Sequence, residues 1–369
     1  MTTVSSTMHQ NHIWQRVIAL KGRFPKKPAL PAPVAPTPYI LSIPTELLEE
    51  IIKHLDLHGE FMFSQTCQTA RILTQKDWKD ALLKLPDPDK LLFWARVAYR
   101  LPNQWACARC CKLHETDHWD TPRSQRLPRC QRGETLDTLD RCYKLRHTHV
   151  DLALKFRRMG VNTSYLREIL APCEYIANRE AGSWKPGVPD KILHVPRVVR
   201  GRFCLKVVKE FHDLNSPYEI RTFKVCRHQL FPWWHWSFDY FGLFGQHVDQ
   251  AWHQPGNVYD GYCKWCPMDY SVVREEGMLR MTFWYDYGTG KSARDLEWMI
   301  HVGDEVYNNA IELTTKYHEP GSIRELFHQG SLNHMVRGLT SMLIRHPRKF
   351  CRRARKVRAA HKAAEAAAR

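Results

Sequence analysis

Residues 42–55 read SIPTELLEEIIKHL, and this stretch decides the fold of the N-terminal part of the chain. Its apolar residues recur at the i, i+4, i+8 spacing of one helical face, and they are Leu47, Leu48, Ile51, Ile52 and Leu55. Pro44 stands in the first turn, where a helix tolerates proline, and the glutamates after it complement the positive end of the helix dipole. The stretch therefore predicts an amphipathic helix that begins near Pro44.

The residues that follow predict two more short helices. His58 and Gly59 interrupt the first helical pattern, and residues 61–73 continue with a second one. A third amphipathic segment surrounds Trp78. We therefore expect a three-helix module over residues 41–85.

This module resembles a known family. The run IPTELL at 43–48, together with Ser64, Cys67 and Arg71, resembles the F-box, in which a leading Leu-Pro-x-Glu opens three helices. Ile43 takes the place of the usual leucine, which is a conservative departure.

The resemblance implies a partner. In F-box proteins the apolar face docks on a small Skp-type adaptor, which links the module to a cullin and a RING ubiquitin ligase, and the part after the F-box selects the substrate. A module of about 45 residues cannot bury all its apolar surface alone, so this face should contact either that partner or the chain's own second domain. The docking face consists of Pro44, Leu47, Leu48, Ile51, Ile52 and Leu55.

The second half of the chain strengthens the resemblance. The segments WACARCCKLHETDHWD from 105, CRHQL from 226 and CKWCPMDYSV from 263 look like a group of fungal F-box proteins with a Cys-rich second half. The likeness covers most of residues 40–300 and implies no catalytic activity. We therefore expect a substrate-recognition adaptor of a cullin–RING (SCF-type) ubiquitin ligase, not an enzyme, with the substrate unknown.

The cysteine content raises the question of zinc. The chain has 12 cysteines, no apolar run long enough to span a bilayer and no hydrophobic stretch of a signal peptide at its start. We expect a soluble intracellular protein, and in a reducing compartment paired cysteines more often hold metal than form disulfides.

Two sets of residues have metal-ligand spacing. In the first, Cys107 and Cys110 form a CxxC pair that Cys130, Cys142 or His114 could complete. The second combines two short motifs into a set of three cysteines and one histidine, Cys226, His228, Cys263 and Cys266. Either pair could also take a ligand from the other set, and a structural zinc is favoured because four protein ligands leave no open position. The cysteines that stand alone are expected to be buried and free, and they are Cys67, Cys173, Cys204 and Cys351.

Two motifs resemble those of enzymes. Residues 114–118 read HETDH, which fits the letters of the HExxH zinc-protease motif, but Pro122 and the nearby cysteines argue against the helix that this motif needs. Residues 288–292 read GTGKS, but Tyr285 stands where a phosphate-binding loop has its first glycine. A turn after a strand explains this segment better.

The chain as a whole predicts an α+β protein in four parts. Residues 1–40 form a disordered proline-rich arm, 41–85 the F-box, 86–340 a Cys-rich α+β domain and 341–369 a basic tail. Within the α+β domain, a Cys/His segment at 107–142 precedes a helical region, and residues 190–290 should be mostly β-strand.

About half of the net charge of +17 lies in the tail. Eight positive charges occur there with no acidic residue among them, on Arg345, Arg348, Lys349, Arg352, Arg353, Arg355, Lys356 and Arg358. This density is typical of a nuclear-localisation signal or a nucleic-acid arm, and also of a solvated tail. We expect the protein in the nucleus, the cytoplasm or both.

An aromatic cluster at residues 231–241 could serve as a recognition surface or pack in the core. The alternative function is a zinc-stabilised nucleic-acid-binding protein that uses the tail for phosphates and this cluster for bases. That alternative explains the charge but not the helix at Pro44.

Overall fold

The computed structural model describes residues 43–124, 130, 137–140, 143–177, 187–220, 223–226, 228–231, 242–302 and 316–329. The chain divides into two compact units, Met1–Gln75 and Lys76–Arg369. The predicted arm, the basic tail and the aromatic cluster beyond Phe231 lie outside the described residues. Within the described parts, no helix has both the length and the apolar character to cross a bilayer.

The first unit contains three helices in its described part, α1 (Thr45–Lys53), α2 (Leu57–Ser64) and α3 (Gln68–Leu73). The first break lies before His58 and not at it, because the Asp56 side chain accepts a hydrogen bond from Gly59 N at 2.7 Å and caps α2. His58 and Gly59 are therefore inside a helix.

A second break divides the segment that the sequence predicted as one helix. Thr66 Oγ1 donates to the Phe63 carbonyl at 2.7 Å, and Cys67 Sγ accepts from Ala70 N at 3.3 Å as the N-cap of α3. Residues 43–85 thus contain four short helices instead of three, the fourth being α4 (Trp78–Lys84) of the second unit.

The second unit begins with helices and a hairpin. Asp77 caps α4, and α5 (Asp87–Ala98) packs against the hairpin of β1 (Gln104–Cys107) and β2 (Lys112–Glu115). The helical region expected near residue 150 is confirmed as two elements, α6 (His147–Arg158) and α7 (Ser164–Ile169). They are separate because Gly160 has a φ of 66° and ends α6.

A six-stranded antiparallel sheet forms the centre of this unit. In spatial order its strands are β10 (Val258–Tyr262), β11 (Met268–Glu275), β12 (Met278–Asp286), β7 (Arg202–His212), β6 (Lys191–Val199) and β5 (Cys173–Ile176). Two short hairpins stand apart from it, β3 (Asp137–Asp140) with β4 (Tyr143–Leu145), and β8 (Phe223–Cys226) with β9 (Gln229–Phe231). Strands β6 to β12 lie within residues 190–290, where the sequence predicted mostly β-strand, but a helix at Gly242–His253 also lies in this range.

Alternation of apolar residues explains how the sheet is packed. Val207 pairs with Phe283 and Leu205 with Tyr285, and all four side chains are buried on one face of the sheet. On that face lie α6 and α8 (Gly242–His253). A further helix, α9 (Leu296–Val302), follows β12.

Residues 322–329 form a helix on the opposite face. Ile323 and Phe327 pack there against Cys204 and Trp284. The buried carboxylate of Asp269 on β11 accepts hydrogen bonds from the backbone N–H groups of residues 321, 323 and 324 at 2.9–3.2 Å. The sheet itself therefore caps this helix.

Candidate functional site

The first Cys/His group, here called the N-terminal cluster, consists of Cys107, Cys110, His114 and Cys130. Its four ligand atoms all lie within 4.8 Å of one another. Cys107 Sγ is 3.7 Å from Cys130 Sγ, and His114 Nε2 is 3.0 Å from Cys110 Sγ and 3.4 Å from Cys130 Sγ. Three sulfurs and one imidazole nitrogen therefore converge on one point.

The β1–β2 hairpin builds most of this cluster. Cys107 ends β1, and the chain turns through Cys111, which has a φ of 49° and donates its N–H to the Cys107 carbonyl at 2.9 Å. The strand register then pairs His114 with Trp105, and the two rings stack 4.9 Å apart. The tight turn brings Cys110 back beside Cys107, and the stacking fixes the orientation of the imidazole.

The second group, the C-terminal cluster, consists of Cys226, His228, Cys263 and Cys266, and its ligand atoms meet the same 4.8 Å limit. Cys263 Sγ is 3.7 Å from Cys226 Sγ and 3.8 Å from His228 Nδ1. All three cysteines are buried.

Two turns supply the ligands of the C-terminal cluster. Cys226 and His228 lie at the turn between β8 and β9, whereas Cys263 and Cys266 lie in the connection from β10 to β11. That connection is closed by backbone hydrogen bonds from Cys263 N to the Met268 carbonyl and from Met268 N to the Cys266 carbonyl. The cluster thereby joins the β8–β9 hairpin to the edge of the large sheet.

Both sets of distances suit a tetrahedral ion. Zinc with bonds of about 2.3 Å to sulfur and about 2.0 Å to nitrogen places two sulfurs about 3.8 Å apart and a sulfur and a nitrogen about 3.5 Å apart. The sulfur pairs Cys107–Cys130 and Cys226–Cys263 are each separated by 3.7 Å. Each cluster could therefore hold a metal ion without a large rearrangement of its ligands.

Neighbouring thiols shift one another's pKa. A hydrogen bond from Cys110 lowers the pKa of Cys107 to about 3, and the same interaction raises the pKa of Cys110. Hydrogen bonds from Cys226 and Cys266 lower the pKa of Cys263 well below its usual range, while burial raises the pKa of both donors. Each cluster thus stabilises one thiolate, and a bound cation would favour loss of the remaining thiol protons.

The structure brings together most of the metal ligands that the sequence predicted. Of the three residues left open for the first set, the structure brings His114 and Cys130 to the CxxC pair, whereas Cys142 lies outside the described residues. Among the candidate ligands that the structure describes, the two sets do not exchange members. Cys173 and Cys204 are buried, as predicted, while Cys67 is half-buried and caps a helix; Cys351 lies outside the described residues.

The enzyme-like motifs take other roles. His114 and Glu115 lie on strand β2, so the HExxH letters at 114–118 do not form the helix that a zinc protease needs. The GTGKS segment is a turn after β12, in which Gly288 has a φ of 82° and Thr289 N donates to Glu297 at 3.0 Å. Glu297 thus occupies the backbone N–H that a phosphate-binding loop would offer.

The predicted docking face of α1 is only partly exposed. Leu47 is 57% exposed, Ile51 46% and Leu55 36%, and Pro44 is exposed as well. Leu48 departs from the prediction, because it is 3% exposed and belongs to the buried side of the helix.

Ile52, the remaining residue of the predicted face, is half-buried. The sequence placed all six residues on one face because adjacent leucines and isoleucines blur the boundary between the two sides of a short helix. The exposed apolar stripe is therefore Leu47, Ile51 and Leu55, with Pro44 at its N-terminal end.

Comparison with protein families matches residues 40–81 to the F-box domain. The chain therefore carries an F-box domain, in the helical region that begins at Thr45. Searches of curated proteins and of solved structures found no match to the chain. The likeness of the second half to a fungal group stays a prediction.

Proposed function

We propose that this protein is the substrate-recognition adaptor of a cullin–RING (SCF-type) ubiquitin ligase and has no catalytic activity of its own. The F-box match at residues 40–81 carries the proposal, since F-box domains typically bind Skp-type adaptors. In this proposal α1 docks the adaptor, and the second unit binds a protein substrate.

The exposed stripe on α1 supports this role. Leu47 and Ile51 are spaced one turn apart on α1, and Leu55 continues the same spacing just after the helix ends at Lys53; this is the pattern of a segment that lies in an apolar groove. Full burial of a leucine or isoleucine contributes about 1.5–3 kcal/mol, so a partner that covers this stripe gains several kcal/mol from three residues.

Capture of a purified Skp-type adaptor by the full-length chain tests the proposal. We expect Leu47→Ala/Ile51→Ala to weaken capture about 10-fold or more, because two exposed apolar anchors are removed while buried Leu48 is kept. Glu49→Ala, an exposed polar position of the same helix, is the control and should capture normally. Equal capture by the double variant and the control would refute the docking face.

We further propose that each cluster binds one structural zinc ion. The three-cysteine, one-histidine ligand sets and the near-tetrahedral distances support zinc, and four protein ligands leave no position for a substrate.

Metal analysis of protein purified without chelator tests the zinc proposal. We expect about two equivalents of zinc in the wild type and about one in Cys110→Ser or Cys266→Ser. Cys111→Ser is a matched control, since Cys111 adjoins the N-terminal cluster without belonging to it. Less than about a tenth of an equivalent in the wild type would sink the idea.

For localisation, we propose that the basic block from Arg345 to Arg358 directs the protein to the nucleus. A fluorescent fusion should accumulate there and lose that accumulation when residues 345–369 are deleted. Persistent nuclear accumulation of the truncated fusion would remove this role from the tail.

A further inference from the structure

A group of cations gathers on the sheet face that carries helix 322–329. Lys206 on β7 pairs directly with Trp284 on β12, and Lys206 Nζ lies 5.8 Å from the centroid of the Trp284 ring. The guanidinium of Arg324, from the helix, lies 5.7 Å from the same ring. Two positive charges therefore flank one indole, within the distance at which cations interact with aromatic rings.

Arg197 on β6 adds a third positive charge. Its guanidinium lies 4.4 Å from the centroid of the Phe327 ring and donates to the Phe327 carbonyl at 3.2 Å. The register pairs Lys206 with Val195, two residues before Arg197 on the same face. Arg197 and Lys206 are thus diagonal neighbours on the sheet.

The indole itself lacks a hydrogen-bond partner. Trp284 is 5% exposed, and its Nε1 is buried with no acceptor within hydrogen-bonding distance in the structure. An indole N–H can only donate, and a buried donor without an acceptor is costly to leave unpaired. Trp284 therefore keeps an unused donor on the sheet face that carries these cations.

The acids near this group are already paired. Among the described residues, Asp260 pairs with Arg324 at 2.7 Å and Glu210 with Arg280 at 3.0 Å, while no described carboxylate forms an ion pair with Lys206. Lys206 is half-buried, and its pKa is lowered by burial and by the charges of Arg197 and Arg280. Among the residues that the structure describes, this partly desolvated ammonium group thus has no carboxylate as an ion-pair partner.

His328, in helix 322–329, is influenced by the same three cations. After burial, the charges of Lys206, Arg197 and Arg324 lower the pKa of its imidazole. The His328 ring lies 6.2 Å from the Trp284 ring, so the end of the helix is next to the indole.

We propose that Lys206, Arg197, Arg324 and Trp284 form a binding site for a phosphate monoester. A phosphate monoester carries a charge of about −1.5 to −2 and three acceptor oxygens, which suits several cations and one indole N–H better than the single charge of a carboxylate. Beyond residue 329 the chain holds one carboxylate side chain, that of Glu365, so this basic segment is a poor source of the anion.

Binding of a monoester by the full-length protein tests the site. The indole N–H resonance of Trp284, assigned by its loss in Trp284→Phe, should shift saturably when O-phosphoserine is added in phosphate-free buffer. We expect Lys206→Gln to weaken binding about 10-fold or more, because it removes a charge-assisted hydrogen bond. The control is Lys191→Gln, a half-buried lysine on β6 that pairs with Glu174 at 2.6 Å; its substitution should leave the affinity unchanged.

Two further ligand comparisons identify the source of the group. If a phosphorylated peptide binds and the same peptide without phosphate does not, the site recognises modified proteins. If inorganic phosphate and O-phosphoserine bind but the phosphorylated peptide does not, the site recognises small molecules. The proposal would be overturned if O-phosphoserine gave no saturable shift, or if the two lysine variants bound it with equal affinity. It would also be overturned if succinate bound as well as O-phosphoserine. Competition by an RNA oligonucleotide without a terminal phosphate would overturn it as well.

The site lies within the second unit and does not involve the F-box. It goes beyond the adaptor role, and variants of Lys206 should capture the Skp-type adaptor as the wild type does. A failed monoester titration therefore leaves the adaptor proposal standing, and a failed adaptor capture leaves the anion site standing.

Discussion

Leu47 and Leu48 are adjacent in the sequence but occupy opposite environments in α1. Leu48 is buried and Leu47 is exposed, because consecutive residues of a helix point about 100° apart. We predict that Leu48→Ala lowers the free energy of unfolding of the first unit by about 2–5 kcal/mol through loss of burial and creation of a cavity. Leu47→Ala should change it by less than about 0.5 kcal/mol.

Urea unfolding of the full chain, followed by a probe placed in the first unit, measures both variants. Similar losses of stability for Leu47→Ala and Leu48→Ala would show that Leu47 also contributes to the packing of the folded chain. Together with adaptor capture, this pair separates a folding defect from a docking defect.

Glu297 holds the turn after β12 through its charge. It pairs with Lys316 and with Arg202 at 2.9 Å, and it accepts a hydrogen bond from Thr289 N. Burial would raise its pKa, but Lys316, Arg202 and Thr289 outweigh burial and lower the pKa from 4.5 to about 2. The ionised form is therefore the one that folding favours.

The pKa shift of Glu297 sets the pH dependence of its contribution. A carboxyl with a lowered folded pKa contributes its full stability above the unfolded pKa of 4.5 and loses it as the pH falls towards 2. We predict that Glu297→Gln lowers the free energy of unfolding by about 2–3 kcal/mol at pH 7. The difference from wild type, measured with urea at several pH values, should stay constant down to about pH 5 and shrink below that. If the difference in free energy of unfolding between wild type and Glu297→Gln grew on acidification, the lowered pKa of Glu297 would be contradicted.

Helix 322–329 depends on a carboxylate from another element. Asp269 Oδ1 accepts from His318 and Gly321 N, and its Oδ2 accepts from Ile323 N and Arg324 N. Since the N-terminal N–H groups of a helix have no partners within it, this residue satisfies several donors at once.

We predict that Asp269→Ala loosens this helix while the sheet remains folded. Loss of the cap should lower the local stability by about 1–2 kcal/mol, which is an increase of about 10-fold in amide hydrogen exchange over residues 322–329. Asp269→Asn keeps one carbonyl acceptor and should give an intermediate rate. Equal protection of the helix in wild type and Asp269→Ala would exclude the capping role.

Elements with a strong local pattern could be predicted from the sequence. Strand β12 was predictable because its apolar residues from Leu279 to Tyr285 alternate with Arg280 and Thr282; Trp284 departs from the alternation because it packs against helix 322–329. The break between α2 and α3 was not, because it depends on side-chain hydrogen bonds of Thr66 and Cys67, and cysteine is an uncommon cap.

The candidate metal sites were likewise predictable only where short sequence motifs supply the ligands. The C-terminal cluster could be predicted in full because all its ligands belong to two short motifs. The choice of His114 for the N-terminal cluster depends on the register of the β1–β2 hairpin, which spacing alone does not fix. A search for histidines one strand beyond a CxxC turn would have found it.

The two clusters close different parts of the second unit. The N-terminal cluster joins the β1–β2 hairpin to Cys130, and the C-terminal cluster joins the β8–β9 hairpin to the β10–β11 connection. Short hairpins of this kind are marginally stable alone, so a metal that bridges each one to the rest of the unit contributes directly to folding. The first unit contains neither cluster.

We therefore predict that a chelator separates the two functions of the chain. Treatment with 1,10-phenanthroline should make the second unit sensitive to trypsin, because its two bridges are lost, whereas capture of the Skp-type adaptor should fall by no more than about threefold. The double variant Cys110→Ser/Cys266→Ser is the matched genetic control and should behave as the chelated protein does.

The F-box match extends to residue 81, beyond the unit boundary at Gln75, so α4 is the element through which chelation could still reduce capture. Complete loss of capture on chelation would mean that the F-box folds only together with the second unit, and undiminished trypsin resistance would mean that neither cluster depends on a metal.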